Sequence, residues 1–449
     1  MKERTRSTAG SVAVITALLA FSTPIAAQRS LTLEEALQHA RVHNRNLEAA
    51  RARLDQSTAD ISQAWGVLLP QLSAQGKYTH NYKDVEVDPS RFMPSGSNLP
   101  PPSGDPVFIQ KREQFSAGLT ALVPLVVPSA YPALSAVRRA HGARAAELSL
   151  TESTVLFSVA QSYFVAAGAD EILVARNNAV TVAKQTLSNA QVLYQGGKAT
   201  SVEVMRAQVA VVRAEQAERE ARDIQARAYR ALCTLIGARE PVRAVPSEAL
   251  PEKASAREKL IEQALRKRPE FSLYQESMEA ADANGDAAAW RWAPTLSAFG
   301  NLQAFNFKGF SGDNYSWALG LQLDWIIYDG GVRDAQSERA SAQKREYEAR
   351  LYALSDTVSD EIANAREALA TKRSALQSAM RAAELSRETL RLVRIQYEGG
   401  KATQLDLLQA QDSLVAAEVA VAQARFALAL ADIELKKDAG LFPSNGRNR

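Results

Sequence analysis

The chain has 449 residues, 23% of them charged, and its 53 Lys and Arg against 50 Asp and Glu give a formal net charge of +3. Lys2, Arg4 and Arg6 supply most of that excess, so the rest is near neutral and offers no basis for binding nucleic acid by charge. Cys233 is the single cysteine, which excludes an internal disulfide and a cysteine metal cluster.

Residues 1–27 read as a secretory signal peptide. A basic start precedes the apolar run SVAVITALLAF (11–21), and the small residues of TPIAA place cleavage after Ala27. The run is too short to span a bilayer, and no later stretch of ~20 consecutive apolar residues predicts a transmembrane helix. Cys233 is far from the cleavage site, so the expectation is an exported chain that is not lipidated.

The string YQGGKAT at 194–200 returns as YEGGKAT at 397–403, 203 residues later. Upstream, WGVLLPQLSAQG (65–76) matches WRWAPTLSAFG (290–300), and Leu47 falls on Phe271. Such self-similarity predicts a duplicated unit. The first copy is expected at 28–240, a connector at 241–255, the second copy at 256–439 and a polar tail at 440–449. Copy one carries extra residues in 83–111, whose Pro, Ser and Gly content reads as a long exposed loop.

Each copy holds two segments of period two, at 68–80 and 115–123, then 295–307 and 315–325. The last is the clearest: Tyr315, Trp317, Leu319, Leu321, Leu323 and Trp325 share one face, and small or polar residues the other. Trp and Tyr favour the two interfaces of a bilayer. Ten residues at ~3.3 Å, tilted ~45°, span roughly 23 Å, the height of an outer-membrane barrel's apolar band. Four strands cannot close a barrel, and open edges are not tolerated in lipid, so several chains must share one. Two chains leave little lumen, whereas three supply twelve strands.

After each strand pair comes a long helix, Pro132–Tyr194 and Val332–Tyr397, each ~60 residues and roughly 90 Å. The pairs Gly196-Gly197 and Gly399-Gly400 end them as left-handed caps. Thr200 or Ser201, and Thr403, suit the N-caps of returning helices of ~35–40 residues. In the second of these, Leu407, Leu414, Val421, Leu428 and Leu435 recur every seven residues, with Ala410, Ala417, Ala424 and Ala431 beside them. That pattern predicts coiled-coil packing with close backbones. Copy one keeps Ala207, Ala214, Ala221 and Ala228 but sets Glu218 and Gln225 on the other seam, which suggests a seam bordering water.

Catalytic signals are lacking. GGKAT is no phosphate loop, because Val192 stands where its first glycine belongs and Ala199 where Ser or Thr must follow the lysine. His39 and His43 have a metal-compatible spacing but lack the glutamate of H-E-x-x-H, and they read as a solvated helix face. Neither an enzyme nor a cofactor is expected.

With these features assembled, the sequence resembles the TolC family of outer-membrane efflux ducts, over about 30–440. The tip strings YQGGKATSVEVMRAQ and YEGGKATQLDLLQAQ, the strand pairs and the signal peptide carry the resemblance. It implies an α+β membrane protein: a homotrimer whose twelve-stranded β-barrel sits in outer-membrane lipid and continues into a periplasmic α-helical coiled-coil tunnel. It also implies a passive exit duct for efflux or type I secretion. Such a duct is opened at its tip by a periplasmic adaptor and an inner-membrane pump of the RND, ABC or MFS type.

By the resemblance, Asp406 matches an acidic ring at the periplasmic mouth, Tyr397 a tyrosine that helps hold the mouth shut, and Glu203 the acid of the other repeat. Gln409 stands where some members carry a second acidic ring. Ala402 replaces an arginine of the gate, for which Lys401 is the neighbouring substitute. The Asn-Pro-Glu that opens the family's helical stretches is here Asn44-Arg45-Asn46 and Arg268-Pro269-Glu270. The competing reading is a soluble periplasmic coiled-coil scaffold or adaptor; the Tyr315–Trp325 face, with no use in a soluble hairpin protein, speaks against it.

Overall fold

The computed structural model describes residues 29–87, 107–245, 255–308 and 313–442. The expected signal peptide, residues 88–106 of the inserted loop, 246–254 of the connector, 309–312 between the last two strands and 443–449 of the tail lie outside the described residues.

Copy one runs β1 (Arg29–Leu31), α1 (Leu33–His43), α2 (Arg45–Gly66), β2 (Gln71–His80), β3 (Val85–Val87), β4 (Val107–Gln110), β5 (Glu113–Val126), α3 (Ala130–Gln195) and α4 (Ser201–Ile236). After β6 (Val242–Ala244), copy two runs α5 (Arg257–Lys267), α6 (Pro269–Trp290), β7 (Thr295–Phe305), β8 (Tyr315–Asp324), α7 (Val332–Glu398) and α8 (Gln404–Asp438). The same order of two helices, two principal strands and a helical hairpin thus occurs twice.

Local chemistry accounts for the boundaries. Thr32 and Glu35 form a capping box at the start of α1. Asn44 caps α2, its Oδ1 accepting from the backbone N–H of Asn46 and Leu47, while its Nδ2 donates to the Leu235 carbonyl at 2.7 Å. At the matching place in copy two, Arg268 offers no side-chain cap and Pro269 starts α6 instead, since its fixed φ suits the first helical position. The 66 residues of α3 and 67 of α7 give rods of about 100 Å.

β2, β5, β7 and β8 form one antiparallel sheet in that order, so the two copies join through β5 and β7. At the base of the inserted loop, β3 and β4 pair, so 83–111 is not loop throughout. The connector also differs from expectation. Its residues 242–244 form β6, which pairs in parallel with β1 and ties the end of copy one to its beginning.

Packing corrects one further expectation and accounts for one apolar helix. One described helix, α8, is long and apolar enough to cross a membrane. Part of its apolar content serves packing within the chain: Leu428, Ala431 and Leu435 are buried in a cluster with Val358, Ile362 and Leu369 of α7. Gln225, expected to border water, turns inward. Its Nε2 donates to Asp170 Oδ1 at 2.6 Å, and the Tyr229 hydroxyl donates to Asp170 Oδ2 at 2.6 Å. A carboxylate that is 8% exposed satisfies the polar seam in place of solvent. Glu218, by contrast, is paired with Arg222 on its own helix.

Candidate functional site

Two regions qualify: the tips of the hairpins and the faces of the sheet. At each tip only the second glycine is left-handed, with φ of 70° at Gly197 and 72° at Gly400, whereas Gly196 and Gly399 lie at −80° and −84°. The Gly197 N–H donates to the Tyr194 carbonyl and the Lys198 N–H to Leu193; Gly400 and Lys401 repeat this with Tyr397 and Gln396. Both helices therefore end in a Schellman motif, which explains why the heptapeptide recurs.

Thr200, not Ser201, caps α4. Its Oγ1 accepts from the Glu203 N–H at 3.3 Å, while Glu203 Oε2 accepts from the Thr200 N–H at 2.6 Å. Thr403 and Asp406 form the same box on α8, at 3.2 and 2.8 Å, and the Thr403 hydroxyl also donates to Asp406 Oδ2 at 2.7 Å. These bonds to Thr403 hold the Asp406 carboxyl below the usual carboxylate range, so it is ionised at neutral pH. The helix cap uses its Oδ2, and its Oδ1 is uncommitted among the described residues.

The two tips lie together. Tyr397 is half-buried, and burial, with the Glu203 charge second, pushes its hydroxyl up. The hydrogen bond that crosses between the tips comes from Gln404, which sequence reading passed over. Its Nε2 donates to the Glu203 main-chain carbonyl at 2.8 Å. Lys401 is exposed at the turn. Gln409 lines an 870 Å³ groove between α4 and α8 whose walls include Val202, Met205, Val209 and Leu405.

In the sheet, directly paired residues share a face. Leu72, Ala121, Gly300 and Leu319 are in register, as are Ala74, Leu119, Leu302 and Trp317. That face is apolar and exposed, with Trp317 at 68% and Leu319 at 76%. The opposite face carries Gln75, Ser297, Asn301, Gln303 and Gln322, with few charges. Tyr315 stands at one end of β8, and Trp325 follows its other end, held by a bond from its Nε1 to the Trp292 carbonyl at 3.1 Å. Below it, Arg333 is 3% exposed, lies 3.7 Å from the Trp292 ring and pairs with Asp329 at 2.9 Å, fixing the step from sheet to α7.

The chain matches the family model described as outer membrane efflux protein over residues 36–238 and 260–441. Outer membrane protein OprJ of Pseudomonas aeruginosa is 30% identical over 237 residues, which is 50% of this chain and 48% of OprJ. The pyoverdine export outer membrane protein OpmQ of the same species is 28% identical over 91% of this chain and 85% of its own length. A membrane protein of known structure from Pseudomonas aeruginosa superimposes with a TM-score of 0.73 at 20% identity, covering 91% of this chain and 93% of that one. The match spans most of both repeats, and the resemblance carried by the tip strings thereby becomes membership: this chain belongs to the outer membrane efflux protein family and is an outer-membrane exit duct.

Proposed function

We propose that three copies of this chain share one twelve-stranded barrel and one helical tunnel, forming the passive outer-membrane section of a tripartite export system. The observation that carries this reading is the four-stranded sheet, apolar on one face, polar on the other, and open at both edges, β2 and β8. An exposed apolar sheet with unpaired edges is untenable in water or lipid; neighbouring chains pairing β8 to β2 remove both edges and bury the outer face in bilayer. The hairpin layer supports the same symmetry. The groove residues Val202, Met205 and Val209 of α4 stay exposed, as do Leu385, Leu392 and Ile395 of α7. Two different exposed apolar stripes suit head-to-tail contacts that close into a ring.

At the mouth of that ring the uncommitted oxygen of Asp406 from each chain would face the axis and favour cations. Carboxylates ~8 Å apart in wet surroundings repel by roughly 0.5–2 kcal/mol, which opening, protonation or a bound cation relieves. The exposed tips of the hairpins, where Gly197 and Gly400 carry no side chain, offer backbone to a periplasmic adaptor, and the inner-membrane pump supplies energy and chooses the cargo.

Single-channel conductance of the mature protein in a planar bilayer tests this, alongside Asp406→Ala. The expected result is a small, cation-preferring conductance that loses its preference in the variant. Because the Asp406 carboxyl titrates low, preference should persist until pH falls below the ordinary carboxylate value of about 4. Unchanged selectivity would return Asp406 to its cap alone; a protein that stays soluble without detergent and never conducts would overturn the duct.

A further inference from the structure

Near the tips, apolar contact closes the second hairpin, and two side-chain hydrogen bonds tie it to the first. Leu390, Leu407 and Ala410 are buried together, with Tyr397 and Leu414 packed against them. Gln404, 1% exposed, instead reaches the other hairpin through its bond to the Glu203 carbonyl. Seven residues on, Gln411, 9% exposed, donates from Nε2 to Thr186 Oγ1 of α3 at 3.1 Å, and Thr186 is equally buried. The two glutamines alternate with Leu407 and Leu414 along α8 in seam spacing, so they form a polar row inside a coiled-coil register. Gln404 Oε1 is buried and has no hydrogen-bond partner among the described residues.

These features have a common consequence. An apolar seam tolerates small slides, because one methyl contact replaces another. An amide donating to a fixed carbonyl has one position, and a polar residue at a seam position specifies register at a cost in stability. Gln404 adds a second property, since its unpaired Oε1 opposes burial while its Nε2 favours it. Release lets both amide atoms meet water, so the bond holds by a narrow margin.

We propose that Gln404 and Gln411 form a register latch between the hairpins, and that breaking the Gln404–Glu203 bond is the step within each chain that lets the α7–α8 tip move away from α3–α4. Both are positioning residues. They carry no charge to the mouth and set where Asp406 and Tyr397 stand. The functional half of this inference rests on reading the tip as a gate; the latch itself does not.

The test uses the full-length mature protein with Cys233→Ser and spin labels at Lys198→Cys and Glu398→Cys, labelled chains being diluted with unlabelled ones. Gln404→Met keeps the side chain's length and removes both polar atoms. The expected result is a longer and broader label-to-label distance, with an open fraction in planar bilayers raised about five- to tenfold, the weight of one hydrogen bond. The thermal melting point of the assembly should not move. Thr186→Val, which removes the Gln411 bond together with the Thr186 hydroxyl's own bond to the Val182 carbonyl within α3, should shift the distance the same way by less, and it decides the matter if the Gln404 variant does not fold. Distances identical to the parent's in both variants would overturn the latch. A distance shift in a protein that never conducts would keep the latch and refute the gate.

Discussion

The two hairpins share a backbone plan and differ in what fills it. At the same distance beyond their tip tyrosines, copy two places Leu428, 1% exposed, and copy one places Gln225, bonded to Asp170. Further on, copy two ends α8 with Asp438 where copy one has Leu235 in α4. The tips themselves are near-identical in caps and dihedral angles. The geometry of a helical hairpin is thus set by its ends, and the chemistry of its seam is free to diverge, provided each buried polar group finds a partner. Copy one solved that requirement with a carboxylate that gathers Gln225 and Tyr229; copy two avoided it with leucine.

The sharpest way to break this comparison is to exchange the solutions. Leu428→Gln should destabilise copy two by about 4 kcal/mol, because packing is lost and an amide is buried with no acceptor built for it. Asp170→Leu should cost about 3 kcal/mol by stranding the amide and the phenol. Asp170→Leu with Gln225→Leu should cost less than the sum of the two single changes by about 1 kcal/mol, since the residues share one network. Guanidinium unfolding followed by helical circular dichroism reads all four variants; strict additivity would mean that the Asp170 cluster is not a unit.

A smaller effect should distinguish the ends of α8 and α4. Burial raises the Asp438 carboxyl to about 6, with Glu361 and Glu434 adding to the rise and Lys437 and Arg268 opposing it. Because the folded state holds this proton more tightly than the unfolded chain, the stabilisation is full below about 4 and is lost as pH rises through about 6. The protein should be less stable at pH 7.5 than at pH 5 by on the order of 1 kcal/mol, partial exposure having reduced the effect. Asp438→Asn should flatten that dependence in thermal melts at the two pH values, and an unaltered slope would assign it to other groups.

The smallest expected effects fall on the tips and should be equal in the two copies. Gly197→Ala and Gly400→Ala force a side chain into left-handed backbone and should each cost about 1 kcal/mol. At Gly196 and Gly399, where φ is negative and an added Cβ meets nothing closer than 3.4 Å, alanine should be neutral or slightly stabilising. A tip at which the first glycine proves the sensitive one would contradict the motif.

Much of this molecule is written in short-range patterns. The spacing of YxGGKAT, the threonine caps, the two rods of α3 and α7 and the alternation in Tyr315–Trp325 each depend on residues within a turn or two, and local backbone sterics decide them. The apolar face of the sheet was legible for the same reason. What sequence reading missed joins residues far apart. The pairing of β5 with β7, the return of β6 onto β1, Asp170 beneath Gln225 and Gln404 on the Glu203 carbonyl all bring together positions from 55 to 213 residues apart. A polar residue at a seam position looks the same in sequence whether water, a carboxylate or a carbonyl waits opposite it. Only the packing of whole hairpins supplies the partner, and it tied Gln225 to a buried carboxylate and made Gln404 a bridge between the two halves of the chain.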